Sequence, residues 1–132
     1  MQNNNLLEKI NKVKEFHRAF NISHHEHPTI PDIKLCELRH RLMQEENDEY
    51  LEACKRSDLT EIADALGDKM YILFGTLITH GLQYKIAEIF DEIQRSNMSK
   101  LDENGKPIYR KDGKVMKSSR YFKPEIEKIL KQ

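Results

Sequence analysis

Residues 45–68 run Glu45-Glu46-Asn47-Asp48-Glu49-Tyr50-Leu51-Glu52-Ala53-Cys54-Lys55-Arg56-Ser57-Asp58-Leu59-Thr60-Glu61-Ile62-Ala63-Asp64-Ala65-Leu66-Gly67-Asp68. Ser57 to Thr60 form a short turn between two helical patterns. Asp58 followed by Glu61 matches a capping box, which starts a helix. Residues three or four apart share a helix face. Glu46 and Glu49 therefore make one acidic patch, which Glu45 joins through its spacing to Glu49. Glu61 and Asp64 make a second patch, with Asp68 one turn later. Helices joined by a tight turn pack antiparallel, so the two patches face each other.

Working outward, Asp32 is the N-cap of a helix over Ile33–Lys55, with the apolar stripe Cys36, Leu42, Met43, Tyr50, Ala53 and Cys54. The next helix runs to about His80 and stops at Gly81. It is apolar almost all round, from Ile62 and Leu66 through Met70 and Leu73 to Leu77 and Ile78. Such a helix needs cover on most sides, more than so short a chain supplies. This predicts self-association, as a homodimer most simply and a homotetramer otherwise.

Upstream, Leu6, Ile10, Val13, His17 and Phe20 recur at helical spacing and place a helix over about Asn4–Phe20, with His17 and Phe20 on its inner face. Asn21 to Pro31 reads as a mobile loop; the spacing of His24, His25 and His27 is not that of a closed zinc site. Downstream, a helix over about Gln83–Asn97 carries Ile86, Ile89, Phe90 and Ile93. Asp112-Gly113, flanked by Pro107–Arg110 and Val115–Lys117, is a hairpin signal, so the tail is a basic loop or short ribbon. Pro124 opens a last short helix with Ile126, Ile129 and Leu130. The reading is all-α, of four-helix-bundle type, in a single domain over residues 1–132.

The position of the acids decides their chemistry. Glu46 and Glu49 fall in line with Leu42, Met43 and Ala53 on the inward face. Carboxylates gathered there are costly unless a cation neutralises them. Oxygen-only ligands select a hard cation, Mg²⁺ or Mn²⁺, with positions left open for water and a phosphate. One Glu-x-x-Glu is common on charged surfaces; the doubled pattern across a helical hairpin is far more specific.

Composition agrees. The 132 residues carry 22 basic and 22 acidic side chains, so no net charge points to nucleic acid or membrane. The balance hides an asymmetry. Asp32 to Asp68 holds 11 acidic and 5 basic residues, and Arg95 to Lys123 holds 9 basic and 3 acidic. No apolar run approaches a membrane span, and no signal peptide is visible. Cys36 and Cys54, on one helix and about 27 Å apart, cannot bridge within the chain; two buried free thiols suit a reducing cytoplasm.

These motifs resemble the MazG-like all-α nucleoside triphosphate pyrophosphohydrolases, a superfamily that includes the dimeric dUTPases and phosphoribosyl-ATP pyrophosphohydrolases. Val13 to Phe20 looks like the opening helix of that family. Arg41 to Glu46 leads into the first acidic motif, and Glu61 to Asp68 resembles the second. Ser96 to Lys100 and the stretch from Gly105 to Val115 resemble the C-terminal segment of the phosphoribosyl-ATP pyrophosphohydrolase-like branch. The further motifs of the dimeric dUTPases are not found.

The resemblance implies hydrolysis of a nucleoside triphosphate to monophosphate and pyrophosphate. It implies Mg²⁺ ligation by Glu46, Glu49, Glu61 and Asp64, with Glu45 on a second ion or orienting the attacking water. Either Glu49 or Glu45 would take the proton as a Mg²⁺-bound water attacks the α-phosphorus. Asn97 and Lys100 would contact the nucleotide, with Lys114, Lys117 and Tyr121 as further candidates. The competing class is a non-enzymatic helical interaction protein or a nucleic-acid binder that uses Tyr109, Tyr121 and Phe122 among its basic residues. No nucleic-acid motif accompanies them, so no nucleic-acid partner is expected. Glu37-x-x-His40 is half of a di-iron signature whose other half is missing.

Overall fold

The computed structural model describes residues 5–132. In chain order the elements are α1 (Asn5–Ala19), α2 (Ile33–Lys55), α3 (Leu59–Thr79), α4 (Ile86–Met98), β1 (Ile108–Tyr109), β2 (Val115–Met116) and α5 (Ile126–Leu130). The protein is all-α apart from the ribbon, in which Ile108 pairs with Met116 and Tyr109 with Val115, antiparallel. The chain forms two compact units, one ending at Tyr84 and the other Lys85–Gln132. Among the described residues no helix is long and apolar enough to cross a membrane.

The first unit is built on the α2–α3 hairpin. Asp32 caps α2 by accepting from the Lys34 amide, and Asp58 caps α3 by accepting from the Glu61 amide. Cross-links fix the register: Arg39 donates to the Ile72 carbonyl and Thr76 hydroxyl, and Lys69 donates to Asn47. Positions rise along one helix as they fall along the other, so the pair is antiparallel. Helix α1 packs on α3 through buried Ile10, Val13 and His17. Gly75 of α3 leaves room at the crossing, because a Cβ there would lie 2.5 Å from Arg39 Nη2 and 2.9 Å from His17 Nε2 and would force those side chains to move.

Several boundaries differ from the sequence reading. Helix α1 ends at Ala19 because Asn21 takes a φ of 57°. Phe20 thus lies beyond the helix, 64% exposed against Phe16, and not on the inner face. The Asn4 end of the expected helix lies outside the described residues. Helix α4 starts at Ile86 and not at Gln83. Gln83 is buried and donates to the His25 carbonyl instead.

That bond is part of a strap. The loop expected to be mobile is fastened to the end of α3: His25 N–H donates to the Ile78 carbonyl, and Thr29 N–H to the His80 carbonyl. Rings help, with His25 Nδ1 2.7 Å from the Thr79 carbonyl oxygen and His80 Nδ1 3.1 Å from that of Thr29. Glu26 takes Lys14 and the Tyr84 hydroxyl. Gly81, at φ 67°, packs under His27 where no Cβ would fit. The His25 and His80 rings are thus spent on backbone carbonyls.

In the second unit, Ser96 and Ser99 of the α4 end tie down the tail. Ser96 Oγ donates to the Phe122 carbonyl at 2.8 Å, Ser118 Oγ donates to the Ser99 carbonyl, and Phe122 N–H donates to Ser99 Oγ. Arg95 lies over the Phe122 ring. Glu92 pairs with Arg95 and accepts the Glu125 amide just before α5. Helix α5 begins at Ile126, two residues after Pro124.

Candidate active site

The register that places Asn47 opposite Lys69 also sets Glu46 level with Asp68. Carboxylate oxygens of Glu46, Glu49 and Asp68 all lie within 4.8 Å of one another. Glu46 and Glu49 stand one turn apart on α2, and Asp68 comes from α3, one turn after Asp64. Glu46 is half-buried, whereas Glu49 and Asp68 are exposed; the expectation that Glu49 turns inward with Glu46 is therefore corrected. Glu46 Oε2 is fully buried and has no hydrogen-bond partner among the described residues.

Crowding shows in the acidities. Burial raises the Glu46 pKa to about 7, aided by Glu49, Asp68 and Asp64. Asp68 is also pushed up, by burial first and then by Asp64 and Glu49. Among the described residues, no cation relieves them: Lys69, next in sequence to Asp68, donates to Asn47 instead. An orphaned buried oxygen within a set of hard oxygen donors is what a divalent metal site requires, and Mg²⁺ or Mn²⁺ fits these ligands.

Beside the triad lies an open cavity of about 450 Å³, lined by Asp48, Glu49, Glu52, Arg56, Glu61, Asp64 and Ala65. Glu49 belongs to both the triad and the cavity. Of the five acids expected to gather, Glu46 and Glu49 stand in the triad, and Glu61 and Asp64 line the cavity. Glu45 is exposed and lies outside both. Asp68 takes the third place in the triad. Its signal was present in the sequence as a repeat of Asp64 one turn later, but only the register reveals that it faces Glu46.

Two turns from the triad along both helices is a contrasting cluster. Arg39 is 4% exposed, with Nε 3.1 Å from Thr76 Oγ1 and Nη2 2.9 Å from the Ile72 carbonyl. Burial lowers its pKa. His17 is 2% exposed. Its pKa is lowered by burial and then by Arg39, partly offset by the Ser23 backbone. The ring is therefore neutral at pH 7. Sequence reading found His17 but missed Arg39, because a single arginine on a charged helix looks like any solvated one.

The nucleotide candidates fall in the second unit. Asn97 and Lys100 flank the serines that hold the tail, and Lys117 and Tyr121 flank their partners Ser118 and Phe122. Lys117 Nζ stands 4.6 Å from the Tyr121 ring centroid. Lys114 is apart from them at the ribbon turn, where its carbonyl accepts from the Arg110 amide.

Carboxylates facing each other across a helical hairpin form a site suited to a divalent cation and a phosphate. The chain belongs to the phosphoribosyl-ATP pyrophosphohydrolase family, whose model matches residues 13–97, and it is a pyrophosphohydrolase. A crystal structure of a candidate NTP pyrophosphohydrolase from Exiguobacterium sp. 255-15 is similar at 26% identity, over 91% of this chain and 90% of that one, with a TM-score of 0.49. No curated protein sequence matches the chain significantly.

Proposed function

We propose that the protein hydrolyses a nucleoside triphosphate to nucleoside monophosphate and pyrophosphate, with Mg²⁺ as its cation and Mn²⁺ as a substitute. The observation that carries this is the triad: three carboxylates within 4.8 Å, one with a buried oxygen that nothing among the described residues satisfies. Glu46, Glu49 and Asp68 would hold the cation, and Asp64 and Glu61 would extend the acidic wall toward the substrate. The cation supplies charge neutralisation and Lewis acidity to phosphoryl transfer.

Glu49 is exposed and shared by the triad and the cavity, which suits it to orient the attacking water and take its proton. Oxygen of that water bonds the α-phosphorus as the bond from the α-phosphorus to the bridging oxygen breaks, and pyrophosphate departs with that oxygen. Positioning and electrostatics supply most of the acceleration in such transfers. Glu45 would act from outside the triad, as an aid to the water or a second cation. Asn97, Lys100, Lys114, Lys117 and Tyr121 are assigned to the nucleotide, their donors and charge suiting a polyanion.

Leu59, Leu66 and Leu73 recur every seventh residue on α3, with Met70 beside them, and all are at least 45% exposed. Such a stripe supports a homodimer, or a homotetramer, as the working form. Two unbridged, half-buried thiols suit a reducing cytoplasm.

A panel of triphosphates incubated with Mg²⁺ tests the chemistry. The expected products are monophosphate and pyrophosphate in equal amounts. Diphosphate plus phosphate would place the cut at the wrong bond and defeat the proposal.

A further inference from the structure

The acidic cavity has one cationic wall. Its lining holds Asp48, Glu49, Glu52, Glu61 and Asp64, and Arg56 is the one basic residue of that lining. The Arg56 backbone is fixed as the C-cap of α2, its N–H bonding to the Glu52 carbonyl. Ser57 follows at a φ of 54°, a left-handed bend that turns the chain sharply into α3. The arginine is thus held at a defined place on the cavity rim, while its side chain stays free. Glu52, one turn earlier and its natural partner, is drawn to Lys55 instead, at 3.5 Å. Among the described residues the guanidinium makes no ion pair or hydrogen bond.

Arg56 lines the same cavity as five acidic side chains, and its guanidinium, unpaired among the described residues, is a fork of donors without an acceptor. Its planar geometry matches phosphate oxygens, two at a time. It lies seven residues beyond Glu49 on the same helix, two turns or about 10 Å along the axis. A polyphosphate entering this cavity meets repulsion from every other charged wall. Cation binding at the triad cancels that repulsion at one end, and Arg56 cancels it at the other.

We propose that Arg56 measures the phosphate chain: its guanidinium grips the terminal phosphate of a nucleoside triphosphate, so that a diphosphate, too short to reach it, is a poor substrate. This rests on the triphosphate reading above and adds the residue that sets chain length. Arg56 acts on the leaving pyrophosphate and is not needed for the cation or the water.

The test compares one nucleoside as its tri- and diphosphate at saturating Mg²⁺, with the full chain. Arg56→Ala should lower kcat/KM for the triphosphate about ten- to a hundredfold, the loss of a charge-assisted contact, chiefly through KM. The diphosphate should be unaffected, so the preference collapses. Arg56→Lys should restore part of it. Calorimetry with pyrophosphate should show weakened binding in Arg56→Ala while the Mg²⁺ affinity stays that of the wild type. A tri-to-diphosphate ratio that is unchanged, or an equal loss on both, overturns the proposal. If the wild type cleaves no triphosphate, the functional reading fails on its own. The pyrophosphate titration then still decides for Arg56: weaker binding in the variant supports an anion site, and unchanged binding overturns it.

Discussion

The two ends of the α2–α3 crossing treat charge in opposite ways. At one end Arg39 is almost wholly buried, yet its donors go to the Ile72 carbonyl and the Thr76 hydroxyl, and Gly75 leaves room for it. At the other, Glu46, Glu49 and Asp68 crowd together, less buried but with no basic partner among the described residues, and one Glu46 oxygen is sealed off and unbonded there. A buried cation with acceptors joins helices. A cluster of acids without basic partners is held at a cost that a proton or a bound cation offsets. Burial alone therefore does not separate scaffold from site; the supply of partners does.

The largest test of this contrast is Glu46→Gln. It removes a charge from the triad, and turnover should fall about a hundred- to a thousandfold, the scale for lost electrostatic stabilisation at a reacting centre. Helical circular dichroism should persist, and metal-free thermal stability should hold or rise as repulsion is relieved. Full activity would dissolve the distinction between the two ends.

At the Arg39 end the same helix offers a matched pair of glycines. Gly75→Ala would drive a Cβ into Arg39 and His17, and overpacking of about 1–3 kcal/mol should outweigh the roughly 1 kcal/mol that alanine returns as helix propensity. A Cβ at Gly67 would meet nothing within 4 Å, so Gly67→Ala should stabilise by up to about 1 kcal/mol. Urea unfolding reads both. If both substitutions shift stability the same way, the tight crossing is not what holds Gly75.

A finer probe is pH. Glu46 titrates near 7 in the fold but as an ordinary carboxylate when unfolded, so the folded state binds the extra proton between about pH 4.5 and 7. Metal-free stability should therefore fall as pH rises through that window and level off above it, by a few degrees in Tm. Raised Asp68 acts in the same sense. Mg²⁺ competes with these protons, so its stabilising effect should be greater at pH 8 than at pH 6. A Tm that climbs over that window without metal would contradict the crowded triad.

The smallest effect is assigned to Glu45→Ala. Exposed and outside the triad, Glu45 should change stability by no more than about 0.5 kcal/mol, and turnover should fall far less than in Glu46→Gln. A loss as large as that of Glu46→Gln would move the centre of the site.

Sequence alone determined the local features: caps at Asp32 and Asp58, the stop at Gly81, the ribbon around Asp112-Gly113, and the Glu46, Glu49, Glu61, Asp64 pattern, because each depends on residues within a few positions of one another. Tertiary packing decided which acids meet, that Arg39 is interior, that the histidine loop is strapped down, and that the Arg56 side chain has no partner among the described residues. Those outcomes depend on the register between helices and on whether a side chain finds an acceptor on another element, and spacing along one chain does not encode either.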